Sequence, residues 1–202
     1  MSICYIVGAG EFYGSFFPSD DDLVIAADGG YEALKNLNIR CDVLIGDMDS
    51  IKNVPDGVEI LRHKVEKDET DMHLAYLAGR RRGYSEFALY GGVGGRPDHT
   101  FANYCLLSYI KNDGGNATLV GDGYIAYVIK NEVARVTGKA GDGISVFAFG
   151  GNAVGVSVKG LYYELDSGTL TPSFPLGVSN HFTEKDGEIG VTNGTLLVIQ
   201  KI

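Results

Sequence analysis

Five aspartates lie where apolar, strand-like runs end or where a helix should begin. They are Asp28, Asp47, Asp49, Asp68 and Asp71. In an α/β protein the carboxyl ends of the strands meet at one edge of the sheet, so these carboxylates should converge there. Converging anions repel one another unless a cation lies between them. The sequence therefore predicts a hard-metal site, most simply Mg²⁺ with a phosphorylated substrate.

Asp47 and Asp49 form the firmest pair among these acids. They flank a single residue directly after the apolar run Val43 to Ile45, and strand alternation points both side chains the same way, toward a shared ion. Asp68 and Asp71, spaced i and i+3, would share one side of a helical turn. They also have a purely structural explanation, because Asp68 could cap that helix and acids are favoured in a first turn.

A glycine-rich segment at 91–100 follows a predicted strand and precedes a predicted helix. Backbone N–H groups and the positive end of a helix attract phosphate, and glycines allow a close approach. Arg96 would add a planar, bidentate donor. The segment lacks the Gly-Lys-Ser/Thr of a Walker A loop, and a glycine-rich turn capped by Asp98 or Thr100 is the structural alternative. The candidate phosphate-binding residues are Gly92, Gly94, Gly95, Arg96 and His99.

An earlier glycine cluster, Gly8-Ala9-Gly10 with Gly14, also follows a strand-like run. Its spacing is one residue too long for a dinucleotide-binding fingerprint, so we do not expect NAD binding. A close approach of this loop to a ligand is still expected, because glycine lets the backbone come near another group.

Composition excludes several classes of protein. The formal charge of −9 argues against nucleic acid as a partner, because phosphate backbones are bound by basic surfaces. Three widely separated cysteines without CxxC spacing indicate neither zinc nor a disulfide framework. No apolar run approaches the roughly 20 residues of a membrane span, and the N-terminus lacks the basic region of a leader. We therefore expect a cytoplasmic protein without a membrane partner.

The first part of the chain alternates short apolar runs with helical stretches at 31–37, 71–82 and 100–111. This alternation predicts an α/β/α domain with a mainly parallel sheet. In the third helix Phe101, Cys105 and Tyr109 recur at i, i+4, with Leu106 and Ile110 widening the stripe, so this face should pack on the sheet.

After residue 112 helical periodicity does not return. Short strand-like runs separated by turns predict a small antiparallel β-sandwich. Asn193-Gly194 is typical of a hairpin, and Asp166-Ser167-Gly168 of a turn. We expect an α/β catalytic domain over residues 1–131 and a β-sandwich domain over 132–202.

Five motifs, taken in order, resemble the thiamine pyrophosphokinase family across essentially the whole chain. They are AADGG at 26–30, IGDMDS at 45–50, KDETD at 67–71, GGVGGRPDHTFAN at 91–103, and GLYYEL at 160–165 with GVSN at 177–180. The resemblance implies Mg²⁺-dependent transfer of a pyrophosphoryl group from ATP to thiamine, which gives thiamine diphosphate and AMP. It also implies a homodimer, with thiamine held between the α/β part of one subunit and the β-sandwich of the other.

The resemblance also implies roles for individual residues. Metal and phosphate-end acids are expected at Asp47, Asp49 and Asp71, and further catalytic groups at Arg96 and Asp98. Other ATP-binding positions are expected at Asp28, Gly29, Asp68, Gly92, Gly94, Gly95 and His99, and thiamine-binding positions at Tyr163, Ser179 and Asn180. Asp71 and Asp98 both remain candidates for orienting the attacking hydroxyl. Met48 replaces the family's more usual aromatic residue, which affects only packing.

Two other functions stay open at this point. One is a Mg²⁺-dependent phosphotransferase or nucleotidyltransferase that acts on a different alcohol, which product analysis would reveal. The other is a non-catalytic nucleotide or thiamine sensor. So many converging carboxylates argue against a sensor, because binding alone does not need them.

Overall fold

A computed structural model describes residues 2–47, 57–63 and 68–202. Asp49 lies outside these ranges, so its predicted role stays a prediction. The chain forms two compact units, of which the first ends at Asp122 and the second is Gly123–Ile202. The domain boundary expected after residue 131 likewise stays a prediction.

The first unit is built on a six-stranded sheet in which every described pair of neighbouring strands is parallel. Its order is β6-β5-β1-β2-β3-β4. Inner strands such as β1 and β2 read as continuous apolar runs because both faces of a parallel sheet are covered. The strands are β1 (Cys4–Val7), β2 (Leu23–Ala27), β3 (Val43–Gly46), β4 (Glu59–Arg62), β5 (Glu86–Tyr90) and β6 (Asn116–Gly121).

Three helices of the described residues connect these strands, as the alternating pattern predicted: α1 (Gly30–Asn36), α2 (Asp71–Arg81) and α3 (Pro97–Asn112). Thr70 caps α2, since its Oγ1 accepts a hydrogen bond from the His73 N–H at 3.2 Å. Arg96 holds the N-cap position of α3 and Pro97 its first turn. The alternatives in which Asp68, Asp98 or Thr100 caps a helix are therefore wrong.

The prediction of which face of α3 packs on the sheet is only half right. Leu106 and Ile110 are buried, but their buried neighbours on the helix are Asn103 and Leu107. Phe101, Cys105 and Tyr109 are exposed, with 63% of Phe101 and 44% of Tyr109 accessible. Apolar residues occupy both faces of this helix, so periodicity alone could not identify the buried one.

The second unit contains two antiparallel sheets, which confirms the predicted β-rich part. One has the order β12-β9-β14-β7 and the other β11-β10-β13-β8. Buried residues from both sheets, such as Val146, Val156 and Leu196, form one shared core. The strands are β7 (Tyr124–Lys130), β8 (Val133–Thr137), β9 (Gly143–Ala148), β10 (Ala153–Lys159), β11 (Leu165–Leu170), β12 (Gly177–His181), β13 (Asp186–Gly190) and β14 (Thr195–Lys201).

Two turn predictions in this unit are wrong. Asn193-Gly194 connects β13 to β14, which belong to different sheets, so it does not form a hairpin. Asp166 and Ser167 lie within β11 at a bulge with one extra residue, because Leu165 pairs with Val158 but Gly168 pairs with Val156. A bulge uses the same residues as a turn, including the positive φ of 51° at Ser167. In the described part of the chain, no helix is long and apolar enough to cross a membrane.

Candidate active site

A cavity of about 300 Å³ lies beside the carboxyl ends of β1 and β2 in the first unit. The loop after β1, the residue after β2, the start of α2 and the first turns of α3 all contribute to its wall. Open parallel sheets bind ligands at this edge. The lining residues are Gly8, Ala9, Ala27, Asp28, Asp68, Glu69, Thr70, Asp71, Met72, His99 and Asn103.

Asp28 is fixed in an uncommon backbone conformation at the end of β2. Its φ is 49°, in the left-handed region, and its N–H donates to the Ile45 carbonyl at 2.7 Å. Gly30 follows at a point where a Cβ would lie 1.9 Å from the Val7 carbonyl oxygen, so only glycine fits. Gly29 is the N-cap of α1. Strained non-glycine residues of this kind cluster at functional sites.

Asp68 and Asp71 line the same cavity as Asp28. Because Thr70 supplies the cap of α2, capping does not account for Asp68. Asp71 opens the helix, where the positive end of the dipole favours a carboxylate. The structure thus brings together three of the five predicted acids.

Asp47 directly follows β3 and is exposed. Strand β3 pairs with β2, with Ile45 opposite Ala27, so Asp47 and Asp28 follow neighbouring strand ends. Asp47 is not among the residues that line the cavity. Within residues 2–47, 57–63 and 68–202, no group of three His, Cys, Asp or Glu side chains could hold a metal ion. The oxygen donors that the cavity offers nevertheless suit Mg²⁺, which prefers carboxylates over nitrogen or sulfur ligands.

The two glycine clusters found in the sequence pack directly against each other. Gly8 N–H donates to the Tyr90 carbonyl and Gly10 N–H to the Gly91 carbonyl, each at 2.8 Å. Gly91 has a φ of 59°, and a Cβ there would lie 2.3 Å from the Gly8 carbonyl oxygen. Glycine is therefore required at this crossing, which joins the loop after β1 to the loop after β5.

Asn103 is a site residue that the sequence interpretation missed. It is 5% exposed, lines the cavity, and donates from Nδ2 to the Gly92 carbonyl at 2.7 Å. The helix thereby fixes the glycine loop. A polar residue one turn after His99 in α3 was the available signal, because i and i+4 share a helix face.

Gly94 and Gly95, predicted to contact phosphate, lie elsewhere on the loop. Both have positive φ values, of 80° and 63°. They line a separate hollow of about 420 Å³ whose wall also includes the rings of Phe101 and Tyr104. Among the predicted loop residues, only His99 lines the 300 Å³ cavity, while Gly92 and Arg96 line neither hollow.

Arg96 and Asp98 form an exposed ion pair with each other. Two bonds join them, Nη2 to Oδ2 at 2.5 Å and Nε to Oδ1 at 3.2 Å. The guanidinium, helped by the His99 N–H, lowers the pKa of Asp98 to about 2. Neither residue is among those lining the 300 Å³ cavity. Since both side chains are more than 60% accessible, Arg96 can exchange its carboxylate partner for an incoming phosphate.

The second unit has a hollow of about 510 Å³ whose wall includes Tyr163, Ser179 and Asn180. These are the three positions predicted to bind thiamine. A bulge in β12 shapes the wall, because Gly177 pairs with Val146 while Asn180 pairs with Ile144. Gly177 lies so near β9 that a Cβ would be 2.2 Å from the Val146 carbonyl oxygen.

The polar and aromatic parts of this hollow differ in burial. Ser179 is exposed and has a φ of 60°, as expected within a bulge. Tyr163 is 63% accessible, whereas Asn180 is only 6% accessible. An apolar wall with a few polar groups is typical of a site for a small heterocycle.

Comparison with known proteins relates these features to a family. The family model for the thiamin pyrophosphokinase catalytic domain matches residues 17–119, and the model for its vitamin B1 binding domain matches residues 128–196. No curated protein sequence matches the chain.

Solved structures share the fold along the whole chain. The thiamine pyrophosphokinase of Bacillus subtilis has a TM-score of 0.90 at 20% identity and covers 100% of this chain and 99% of its own. That of Geobacillus thermodenitrificans has a TM-score of 0.87 at 23% identity, with 99% and 97% covered. That of Candida albicans has a TM-score of 0.76 at 16% identity, with 99% and 90% covered. Because the catalytic-domain model alone spans more than half of the sequence, the chain belongs to the thiamin pyrophosphokinase family.

Proposed function

We propose that this chain transfers the pyrophosphoryl group of ATP to the hydroxyl of thiamine. The hydroxyl oxygen bonds to the β-phosphorus, the bond from that phosphorus to the α,β-bridging oxygen breaks, and AMP leaves. The hydroxyl proton passes to a carboxylate or to solvent. The observation that carries this proposal is the match of one chain to both a catalytic and a vitamin B1 binding model.

The carboxylates are proposed to hold Mg²⁺ against the triphosphate. Asp47, Asp49 and Asp71 are the proposed ligands, and Asp28 and Asp68 the neighbouring acids. When bound, the ion would neutralise charge that builds up on the transferred group. The presence of Asp28, Asp68 and Asp71 around one cavity supports this assignment.

The glycine loop and α3 are proposed to contact the phosphates. Gly92 is held by Asn103 at the cavity, and His99 lies at the cavity wall. Arg96 would leave Asp98 and donate two parallel hydrogen bonds to phosphate oxygens, a geometry that a guanidinium favours. Asp98, released from the ion pair, would then be free to orient the thiamine hydroxyl. Asp71 remains the alternative for that role.

Thiamine is proposed to bind the hollow of the second unit. The ring of Tyr163 would stack on the pyrimidine, while Ser179 supplies a hydroxyl and Asn180 an amide at the wall. The net charge of −9 suits the cationic thiazolium ring, since it favours attraction of a positive ligand.

A homodimer with each site shared between two subunits is part of the proposal. The exposed ring of Phe101 beside the glycine loop offers an apolar contact for a partner. Mixing two variants tests it at a thiamine concentration well below the wild-type KM: Asp71→Asn supplies an intact second unit, and Tyr163→Ala, weakened in thiamine binding, supplies an intact first unit. Random mixing after co-refolding should restore about one quarter of wild-type activity, because half of the dimers then carry one complete site. No recovery in verified mixed dimers would refute sharing.

The enzymatic assignment is tested by following AMP and thiamine diphosphate with Asp71→Asn. We expect kcat to fall at least about a hundredfold, since charge neutralisation dominates phosphoryl-type transfer. Glu32→Gln is the matched control, because Glu32 is an exposed acid of the same unit that pairs only with Lys35 among the described ion pairs. Equal loss in both variants, or none in Asp71→Asn, would contradict the assignment.

The cytoplasmic location stays a prediction.

A further inference from the structure

Asn180 lies at the wall of the 510 Å³ hollow proposed to bind thiamine. Hydrogen bonds to the chain's own backbone use most of the donors and acceptors of its side-chain amide. Its Oδ1 accepts hydrogen bonds from the N–H groups of Tyr163 and His181, each at 2.9 Å. Its Nδ2 donates to the Tyr163 carbonyl at 2.7 Å. An amide oxygen has two acceptor positions, and both are taken. Asn180 can therefore offer a ligand one N–H and no acceptor.

The side-chain amide of Asn180 extends the backbone pairing between two segments of the second unit, one at 161–163 and the other at 180–182. Leu161 and Phe182 form an antiparallel bridge, and the Tyr162 N–H donates to the His181 carbonyl at 2.9 Å. At the next step, the side chain of Asn180 takes the place of a peptide group, since it binds both the N–H and the C=O of Tyr163. The backbone of Tyr163 is thereby fixed at the hollow although 63% of the residue is accessible.

Contacts with neighbouring rings give the side chain of Tyr163 only weak support. Tyr162 stacks on the ring of His181 with centroids 4.6 Å apart, and Tyr163 meets Tyr162 edge-on at 4.8 Å. Edge-to-face pairs of this kind are favourable but weak. The ring of Tyr163 therefore depends on its backbone for a defined position.

We propose that Asn180 is a positioning residue that acts on thiamine through Tyr163. This inference rests on the proposed function, which assigns thiamine to this hollow. A pre-ordered aromatic wall lowers the entropy cost of binding. It contributes equally to the ground state and the transition state, so its loss should raise KM for thiamine and leave kcat nearly unchanged.

A double-mutant cycle on the full-length protein tests the coupling. Thiamine affinity is measured by titration calorimetry, and KM and kcat by AMP release, for wild type, Asn180→Ala, Tyr163→Ala and the double variant. In the wild-type background Asn180→Ala should weaken thiamine binding roughly tenfold, the effect of one or two lost hydrogen bonds. In the Tyr163→Ala background the same change should have less than about a twofold effect, because the ring it positions is gone.

Two further variants make the cycle selective. Thr183→Val removes a comparable side-chain bond, from Oγ1 to the Gly160 carbonyl at 3.0 Å, and should leave thiamine affinity unchanged. Asn180→Asp keeps both accepted bonds but places a carboxylate oxygen against the Tyr163 carbonyl, which repels it. It therefore disturbs the same backbone and provides the same cycle should the alanine variant fail to fold.

Independent, multiplicative effects of the Asn180 and Tyr163 changes would overturn the proposal, because they would mean that Asn180 affects thiamine binding without acting through Tyr163. An unchanged affinity in Asn180→Ala would overturn it as well. Failure of the proposed function looks different: the wild-type protein itself would then neither bind thiamine nor release AMP.

Discussion

Replacing Asn103 by alanine should destabilise the first unit and weaken ATP binding together. The amide of Asn103 is 5% exposed and bonds the carbonyl of Gly92, itself a buried residue, at 2.7 Å. Removal leaves this carbonyl unpaired, which costs about 1–3 kcal/mol, and the lost side-chain volume adds to that cost. We expect the free energy of unfolding to fall by roughly 2–3 kcal/mol.

Urea unfolding followed by far-ultraviolet circular dichroism measures this loss. The signal is suited to the first unit, because the three helices of the described chain all lie there. Asn116→Ala is the matched control. Asn116 also forms side-chain hydrogen bonds, with Glu86 and Lys111, but it is exposed, so its loss should stay within about 0.5 kcal/mol.

The kinetic effect should follow the same structural cause. Once Gly92 is released, the glycine loop no longer presents a fixed backbone to the phosphates, and KM for ATP should rise about tenfold or more while KM for thiamine stays unchanged. An Asn103→Ala variant that is as stable as Asn116→Ala, or that loses stability without any change in KM for ATP, would contradict this prediction.

Three further predictions concern the Gly91 crossing, the Arg96–Asp98 ion pair and the metal, with Gly123 of the second unit as a control for the first. Gly91→Ala should lower the free energy of unfolding by at least about 2 kcal/mol in urea titration, because φ is 59° and a Cβ would lie 2.3 Å from the Gly8 carbonyl oxygen. Gly123→Ala, with φ of 69° and open space around the Cβ, should cost only about 1 kcal/mol. Arg96 lowers the pKa of Asp98 from an ordinary 3.8 to about 2. The ion pair should therefore be fully formed above pH 3.8 and be lost as the pH falls through about 2. NMR titration of the Asp98 carboxyl should show this transition, and Arg96→Ala should move its pKa back toward 3.8. Chelation with EDTA should abolish product formation and added Mg²⁺ restore it.

The sequence predicted the first unit well because its signals were local and consistent. Buried parallel strands read as apolar runs, and the polar or glycine-rich segments between them separate the elements. The buried face of α3 was missed because Phe101 and Tyr109 are as apolar as the residues that pack on the sheet. Which face is covered depends on neighbours that are distant in the sequence.

The second unit shows a different limit. Asn193-Gly194 and Asp166-Ser167-Gly168 signal a change of direction, but the same residues serve bulges and connections between sheets. For Asn180, a motif could assign the residue to the thiamine side of the site. Only the hydrogen bonds to Tyr163 reveal that its amide is already occupied. The local sequence around a side chain does not predict hydrogen bonds to residues that are distant in the chain.

The most direct test of the account is to identify the products formed from ATP, thiamine and Mg²⁺. We predict equal amounts of AMP and thiamine diphosphate, with formation that depends on the metal and falls at least about a hundredfold in Asp71→Asn. ADP with thiamine monophosphate, free pyrophosphate, or no turnover at saturating substrates would contradict the central claim.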